Sequence, residues 1–132
     1  MKKTKFKTLI VVFAITMLCT GTVTALAGGK YGKLGNHSVG AETYANSTTY
    51  VGMARTVSSS YDVYASLKAY YSYYNSITGE ADMLIESDGG YYGAEVTFTL
   101  PVGFDRSTVV SAEHRASYDT QVWECMTAAY FE

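Results

Sequence analysis

"YDVYASLKAYYSYYN", residues 61–75, holds six tyrosines in fifteen positions and alternates between two kinds of side chain. Because successive side chains of a β-strand point to opposite faces, this period of two predicts a long strand. One face is apolar enough for a core and carries Tyr61, Val63, Ala65, Leu67, Ala69, Tyr71 and Tyr73. The other face mixes charge, hydroxyls and rings: Asp62, Tyr64, Ser66, Lys68, Tyr70, Ser72 and Tyr74. The segment therefore predicts a strand that is buried on one side only.

The tyrosines of the mixed face are candidate contact residues. A tyrosine packs its ring while its hydroxyl stays in water, which suits both exposed strands and recognition surfaces. Tyr64, Tyr70 and Tyr74, with Lys68 between them, could stack on sugar rings or anchor a partner. They could equally form cross-strand pairs that stabilise the sheet without a ligand. The tyrosines of the first face are sufficiently explained as core residues.

The same period of two recurs through most of the remaining chain, in segments bounded by Asn, Asp, Ser, Gly and Thr. The other predicted strands are residues 39–45, 50–57, 80–87, 91–100, 108–118 and 121–131, and residues 88–90 (DGG) are a predicted turn. No ten-residue window carries the clean apolar stripe of a helix. About seven short strands in one small domain predict an all-β fold, a small antiparallel two-sheet β-sandwich, with a small β-barrel as the alternative.

The N-terminal segment has the three parts of a secretory signal peptide. Four lysines stand in the first seven residues, residues 8–19 read TLIVVFAITMLC, and residues 25–27 form a cleavage site of A-x-A type. We therefore predict a signal helix cleaved after Ala27, since the apolar run is too short for a comfortable membrane span. The predicted organisation is a signal peptide at 1–27, a flexible glycine-rich lead-in at 28–36 and a single β-sandwich domain at 37–132. The mature product would be secreted and would not span a membrane.

Cleavage would leave an acidic product with one cysteine. Four of the ten basic residues lie in the signal, so six remain against 12 acidic residues, a formal net charge of −6. This balance disfavours nucleic acid and anionic lipid as partners. Cys125 remains without a second cysteine, which excludes an internal disulfide in the mature chain. It shares a strand face with Trp123, which predicts a buried thiol, and pairing between chains is the alternative.

Residue types for catalysis are present, but not in a catalytic arrangement. The two histidines are His37 and His114. The segment around His37 and Ser38 lacks the following helix of a nucleophile elbow. His114 could reach Cys125 across a hairpin, but that thiol lies among Trp, Glu and Met residues instead of the electropositive groups that would activate it. We predict that the protein is not an enzyme and that His114 is half-buried and structural, with a pH sensor as the alternative.

Residues 80–88 collect acidic side chains. In a strand, one face would carry Glu80, Asp82, Glu86 and Asp88 together with Leu84. A weak calcium site is conceivable there, but EF-hand spacing and clustered zinc ligands are both absent from the sequence. The simpler interpretation is a solvated acidic face opposite a buried face of Ala81, Met83 and Ile85. We therefore predict no metal and no cofactor.

These observations predict an exported, non-enzymatic β-sandwich that acts as an extracellular binding or interaction module. Its contact residues would be Tyr64, Tyr70, Tyr74 and Lys68, and its partner a cell-surface glycan or protein. The export signal, the GGKYG start of the mature chain and the tyrosine-, serine- and glycine-rich strands resemble small exported bacterial β-sandwich bacteriocins of the lactococcin 972 type. That resemblance covers the architecture and a few residues and carries over no functional residue. It implies the alternative function, a small secreted antibacterial effector.

Overall fold

The computed structural model describes residues 25–132, and most of the signal peptide predicted at 1–27 lies outside them. The described chain contains eight strands: β1 (Ala25–Leu34), β2 (His37–Asn46), β3 (Val51–Ser58), β4 (Tyr64–Tyr74), β5 (Ala81–Tyr91), β6 (Gly93–Phe98), β7 (Arg106–Tyr118) and β8 (Gln121–Tyr130). They form two four-stranded antiparallel sheets, in the orders β1-β2-β3-β6 and β5-β4-β7-β8. The predicted two-sheet all-β sandwich is confirmed, with eight strands where the sequence indicated about seven.

β4 supplies the centre of the core, as its alternation predicted. The side chains of Ala65, Leu67, Ala69, Tyr71 and Tyr73 point between the sheets and are buried. The Tyr71 ring stacks on Phe98 of β6 with 5.2 Å between the ring centroids. Its hydroxyl donates to the carbonyl oxygen of Tyr50 at 2.5 Å, which satisfies a polar group that would be costly to bury alone. Tyr71 therefore joins the two sheets through both its ring and its hydroxyl.

Tyr61 does not belong to the core face that the sequence predicted for it. β4 begins only at Tyr64, and 63% of the Tyr61 surface is exposed. The ring stacks instead on Tyr92, with 4.5 Å between centroids. The alternation fails here because residues 59–63 are outside any strand and carry the chain from the first sheet to the second.

β1 corrects the predicted flexible lead-in at residues 28–36. The segment is extended and pairs with β2 along its whole length, from Ala25 opposite Asn46 to Leu34 opposite His37. Its glycines serve close packing: a Cβ on Gly28 would lie 2.4 Å from the carbonyl oxygen of Ala128 in β8. The glycine-rich sequence suggested a flexible linker, but the same glycines let β1 pack closely against β8, because they carry no side chain.

β5 corrects two further predictions. Residues 88–90 lie within the strand and not in a turn, and the chain bends instead at Tyr92, which has a φ of 79°. Leu84 lies opposite the buried Tyr71 and packs against the core. Because cross-strand neighbours share a face, Met83 and Ile85 point away from the first sheet and are 46% and 50% exposed. The predicted burial of residues 81, 83 and 85 is therefore wrong, and the acidic side chains share the inner side with Leu84 at the edge of the sandwich.

The two ends of the described chain lie beside the same turn. Ala25 pairs with Asn46, at the end of β2. The backbone N–H of Glu132 donates to the Ser47 hydroxyl at 2.9 Å. No helix among residues 25–132 is long and apolar enough to cross a membrane.

Candidate functional site

All four predicted contact residues lie on one surface of the sandwich. This surface is the side of the sheet β5-β4-β7-β8 that is turned away from the other sheet, and we call it the outer face. Tyr64, Lys68, Tyr70 and Tyr74 alternate along β4 with its buried residues, so all four point outward. The neighbouring strands complete the face through the residues that stand opposite them in register.

The outer face exposes an unusual amount of apolar and aromatic surface. Seven large side chains on it are 42% to 62% exposed: Tyr64, Met83, Ile85, Tyr91, Val122, Met126 and Tyr130. Since large side chains each present on the order of 200 Å², these seven expose roughly 700 Å². They form two groups, one on β5 with Tyr64 and one on β8, with the polar residues of β4 and β7 between them. Each group exposes roughly 350–400 Å², comparable to the largest apolar patch of a typical monomer, which often marks a contact surface.

The centre of the outer face is a small polar cluster around Tyr70. Its hydroxyl donates to Oε2 of Glu113 in β7 at 2.5 Å, and this hydrogen bond raises the pKa of Tyr70. The Lys68 ammonium lies 5.7 Å from the centroid of the Tyr70 ring, within the range of a cation–π contact. Lys68 and Glu113 stand directly opposite each other on β4 and β7. Tyr70 therefore also makes the cross-strand contact that the sequence left open as an alternative.

Tyr64 and Tyr74 occupy the two ends of the face. The Tyr64 ring meets Tyr91 edge to face, with 5.3 Å between centroids. A Cβ on Gly89 would lie 2.6 Å from the Tyr64 hydroxyl, so glycine at that position makes room for the ring. At the other end, Tyr74 and Met83 help to line a shallow groove of about 550 Å³.

The charges of the outer face balance. Lys68 stands opposite Glu113, and Arg115 of β7 stands opposite Glu124 of β8. All four side chains are exposed. At the end of the face, Arg106 stands opposite Tyr74 and lies 4.0 Å from the Asp105 carboxylate. Three cations and three anions therefore leave this surface neutral, on a chain whose formal net charge is negative.

His114 lies on the other side of the same sheet and is buried between two threonines. Nδ1 is 2.8 Å from the Thr56 hydroxyl and Nε2 is 2.7 Å from the Thr127 hydroxyl. Thr56 donates its own proton to the carbonyl of Ser66, so we assign the ring proton to Nδ1, which donates to Thr56. Burial lowers the pKa of His114 to about 4. The imidazole is therefore neutral, fully buried where the sequence indicated half burial, and hydrogen-bonded through both nitrogens.

Cys125 stands opposite His114 in the β7–β8 register, but the two do not form a catalytic pair. Both imidazole nitrogens are already occupied by hydroxyls. The thiol is half-buried, and burial raises its pKa, which keeps it protonated. His37 also makes a packing contact: its ring lies edge-on against Tyr118, with 4.5 Å between the ring centroids.

A second polar cluster, which sequence reasoning missed, lies on the outward side of the first sheet. Arg55 of β3 stands between Glu42 of β2 and Glu95 of β6 in the register. Its guanidinium pairs with Glu42 at 2.5 Å. Burial alone would raise the pKa of Glu42, but hydrogen bonds donated by Tyr31 and Tyr44, together with the charge and hydrogen bond of Arg55, outweigh it and lower that pKa. In the sequence, each of these three strands has a single charged residue near its middle. Only the strand register shows that the three charges lie side by side.

Glu95 accepts fewer hydrogen bonds in this cluster than Glu42 does. It is 5% exposed, and its Oε2 has no hydrogen-bond partner among the described residues. Burial raises the pKa of Glu95 to about 8. The carboxyl is therefore mainly protonated at neutral pH, and Arg55 remains committed to Glu42.

Within residues 25–132, no three His, Cys, Asp or Glu side chains come together as metal ligands would. Comparison of the chain with protein-family models, curated proteins and solved structures gave no significant match.

Proposed function

We propose that the protein is an exported, non-enzymatic interaction module whose contact surface is the outer face. The observation that carries this proposal is the concentration of seven half-exposed apolar and aromatic side chains on one side of one sheet. Leaving such a surface in water gains nothing for folding, whereas covering it with a partner removes apolar area from water. The signal-like N-terminal segment supports the exported part of the proposal.

The shape and composition of the face favour a folded protein as the partner. Small ligands bind mostly in concave pockets that enclose them, whereas a four-stranded sheet presents a broad and shallow surface. Tyrosine, methionine and arginine are enriched in protein interfaces. The outer face carries all three types, in Tyr64, Tyr130, Met83, Met126 and Arg115.

The proposal that the protein is not an enzyme rests on the surroundings of His114 and Cys125, the two residues that catalysis would most readily use. His114 is buried and uses both ring nitrogens inside the fold, so it cannot act as a base without breaking the hydrogen bond between Nε2 and the Thr127 hydroxyl. Cys125 has a raised pKa and no activating base bonded to it. Both groups are better explained as structural.

The test measures retention of the purified protein on washed cells of the organism that makes it. The wild type should bind saturably, and treating the cells with protease beforehand should remove the binding, because the partner is a protein. The double variant Tyr70→Ala/Tyr74→Ala removes two rings from the face and should bind about tenfold more weakly or worse, as truncation of interface tyrosines does.

Tyr61→Ala is the matched control, since Tyr61 is an exposed tyrosine outside the outer face. It should bind like the wild type, and circular dichroism should show the same strand content for all variants. Equal retention of the double variant and the wild type would exclude the outer face as the contact surface. Binding that survives protease treatment would exclude a protein partner.

A further inference from the structure

We propose that the partner of the outer face is a second copy of this chain, packed face to face about a two-fold axis that runs parallel to the strands. This inference rests on the proposed function, because it takes the outer face to be the contact surface. It adds the identity of the partner and the alignment of the two copies.

The charges at the centre of the face are self-complementary under this symmetry. β4 and β7 are the two central strands of the sheet, and Lys68 stands directly opposite Glu113 across them. A two-fold axis that passes between these strands and parallel to them places β4 of one copy over β7 of the other. Lys68 then faces Glu113 of the second copy, and Glu113 faces its Lys68. Within one chain both charges contact Tyr70, which holds them together at the centre of the face.

The same operation pairs the apolar margins of the face. It places β5, at one edge of the sheet, over β8 of the second copy, at the other edge. Following the register across the four strands, Met83 reaches the level of Tyr130, and Tyr91 reaches the level of Val122. All four side chains are between 46% and 62% exposed. The dimer therefore contains two equivalent apolar contacts, in each of which β5 of one copy covers β8 of the other.

The area and the charge balance both allow such a dimer. Two faces that each expose roughly 700 Å² of these side chains bury at most roughly 1,400 Å² of them together, and this upper bound is within the range of a stable protein interface. The rest of the molecule is acidic and two copies repel each other there. The neutral outer face is where they approach without like-charge repulsion.

The test compares oligomeric states of the purified protein by sedimentation velocity across the micromolar range. The wild type should form a concentration-dependent dimer. Lys68→Glu puts two glutamates against each other at two places in the interface, and Glu113→Lys puts two lysines there. Each single variant should weaken dimerisation by about tenfold or more, since like charges in contact disfavour association.

The two defects should cancel on mixing. In a heterodimer of Lys68→Glu with Glu113→Lys, each interface site again holds one glutamate and one lysine, so an equimolar mixture should dimerise like the wild type. The double variant Lys68→Glu/Glu113→Lys should do the same by itself. Lys33→Glu is the matched control, because it makes the same charge change at an exposed lysine of the first sheet and should leave dimerisation unchanged.

Several results would overturn the inference: a wild type that stays monomeric throughout the range, a dimer that Lys68→Glu does not weaken, or a mixture that stays monomeric. The proposed function fails separately. If the wild type is monomeric but Tyr70→Ala/Tyr74→Ala still abolishes retention on cells, the outer face binds another protein and only the second copy is excluded. If neither dimerisation nor retention depends on this face, both proposals are wrong.

Discussion

Glu95 and His114 are buried ionisable residues that the fold holds neutral, and they respond to pH in opposite directions. The folded-state pKa of Glu95 is raised to about 8, above its ordinary value of 4.5. The folded-state pKa of His114 is lowered to about 4, below its ordinary value of 6.5. Burial is the main cause in both cases, because it penalises the charged form. Glu95 differs in that one of its oxygens lacks a hydrogen-bond partner among the described residues.

Glu95→Gln should stabilise the protein at alkaline pH. Unfolding releases the Glu95 proton at any pH between about 4.5 and 8, so the wild type loses stability as pH rises through that window. Glutamine resembles the protonated carboxyl but does not ionise, so the variant should not lose stability as pH rises through this window. The variant should gain up to roughly 4 kcal/mol in the free energy of unfolding at about pH 8 and almost nothing at about pH 4.5.

Urea unfolding at these two pH values measures the difference. Glu86→Gln is the matched control, because it makes the same substitution at an exposed glutamate away from the outer face and should change stability little at either pH. A Glu95→Gln variant that gains equally at both pH values would mean that the Glu95 carboxyl is ionised in the folded protein at about pH 8.

At the scale of secondary-structure elements, β1 and β5 show what a sequence pattern conceals. β4 and β7 have partners on both sides within their sheet, and their alternation predicted which residues are buried. β1 packs through glycines, whose contribution is close approach and not burial of a side chain. β5 has an apolar and an acidic set, and hydrophobicity alone favours burial of the apolar set. Its register with β4 decides otherwise, because Leu84 must lie opposite Tyr71.

Gly28→Ala should destabilise the protein if β1 is a packed strand. Its methyl group would lie 2.4 Å from the carbonyl oxygen of Ala128, a backbone atom that cannot swing aside. We expect a loss of about 1–3 kcal/mol in the free energy of unfolding, as for other overpacked sites. Gly29→Ala is the control from the same strand, since its nearest contact would be an ordinary one of 3.4 Å with the Tyr31 side chain. Equal stability of the two variants in thermal melting would indicate a flexible β1.

At the scale of the whole molecule, the pH dependence of stability combines the two buried groups. His114 stabilises the fold less as pH falls from 6.5 towards 4, because the unfolded state takes up a proton that the folded state excludes. Glu95 costs stability as pH rises from 4.5 towards 8. Between about pH 4.5 and 6.5 the two slopes oppose each other and largely cancel.

We therefore expect a flat stability maximum between about pH 4.5 and 6.5 and a decline above it that continues to about pH 8. Chemical denaturation of the wild type at several pH values measures this profile. In Glu95→Gln, the decline above pH 6.5 should disappear while the loss on the acid side remains. A wild-type maximum near pH 8 would contradict the assignment of a neutral Glu95.

The candidate site was predictable only in its central strand. The alternation of β4 placed Tyr64, Tyr70 and Tyr74 on one face, and the structure has them there. Most of the remaining exposed side chains come from β5 and β8. β8 is far from β4 in sequence, and for β5 the sequence predicted that Met83 and Ile85 are buried. Their place on the outer face depends on strand order and register, which a periodic pattern does not encode. The alignment of Lys68 with Glu113 depends on the register in the same way.

The first and last residues that the structure describes meet beside the β2–β3 turn, and this bears on how the domain can be attached to other things. Ala25 of β1 pairs with the last residue of β2, and the backbone of Glu132 bonds to the first residue of the turn. The described chain therefore enters and leaves the sandwich at one corner, where β1 of the first sheet begins and β8 of the second sheet ends. A label or fused domain joined at the start of β1 would therefore lie beside the edge of the first sheet, whereas one joined at Glu132 would follow Tyr130 of the outer face by two residues and should interfere more with contacts of that face.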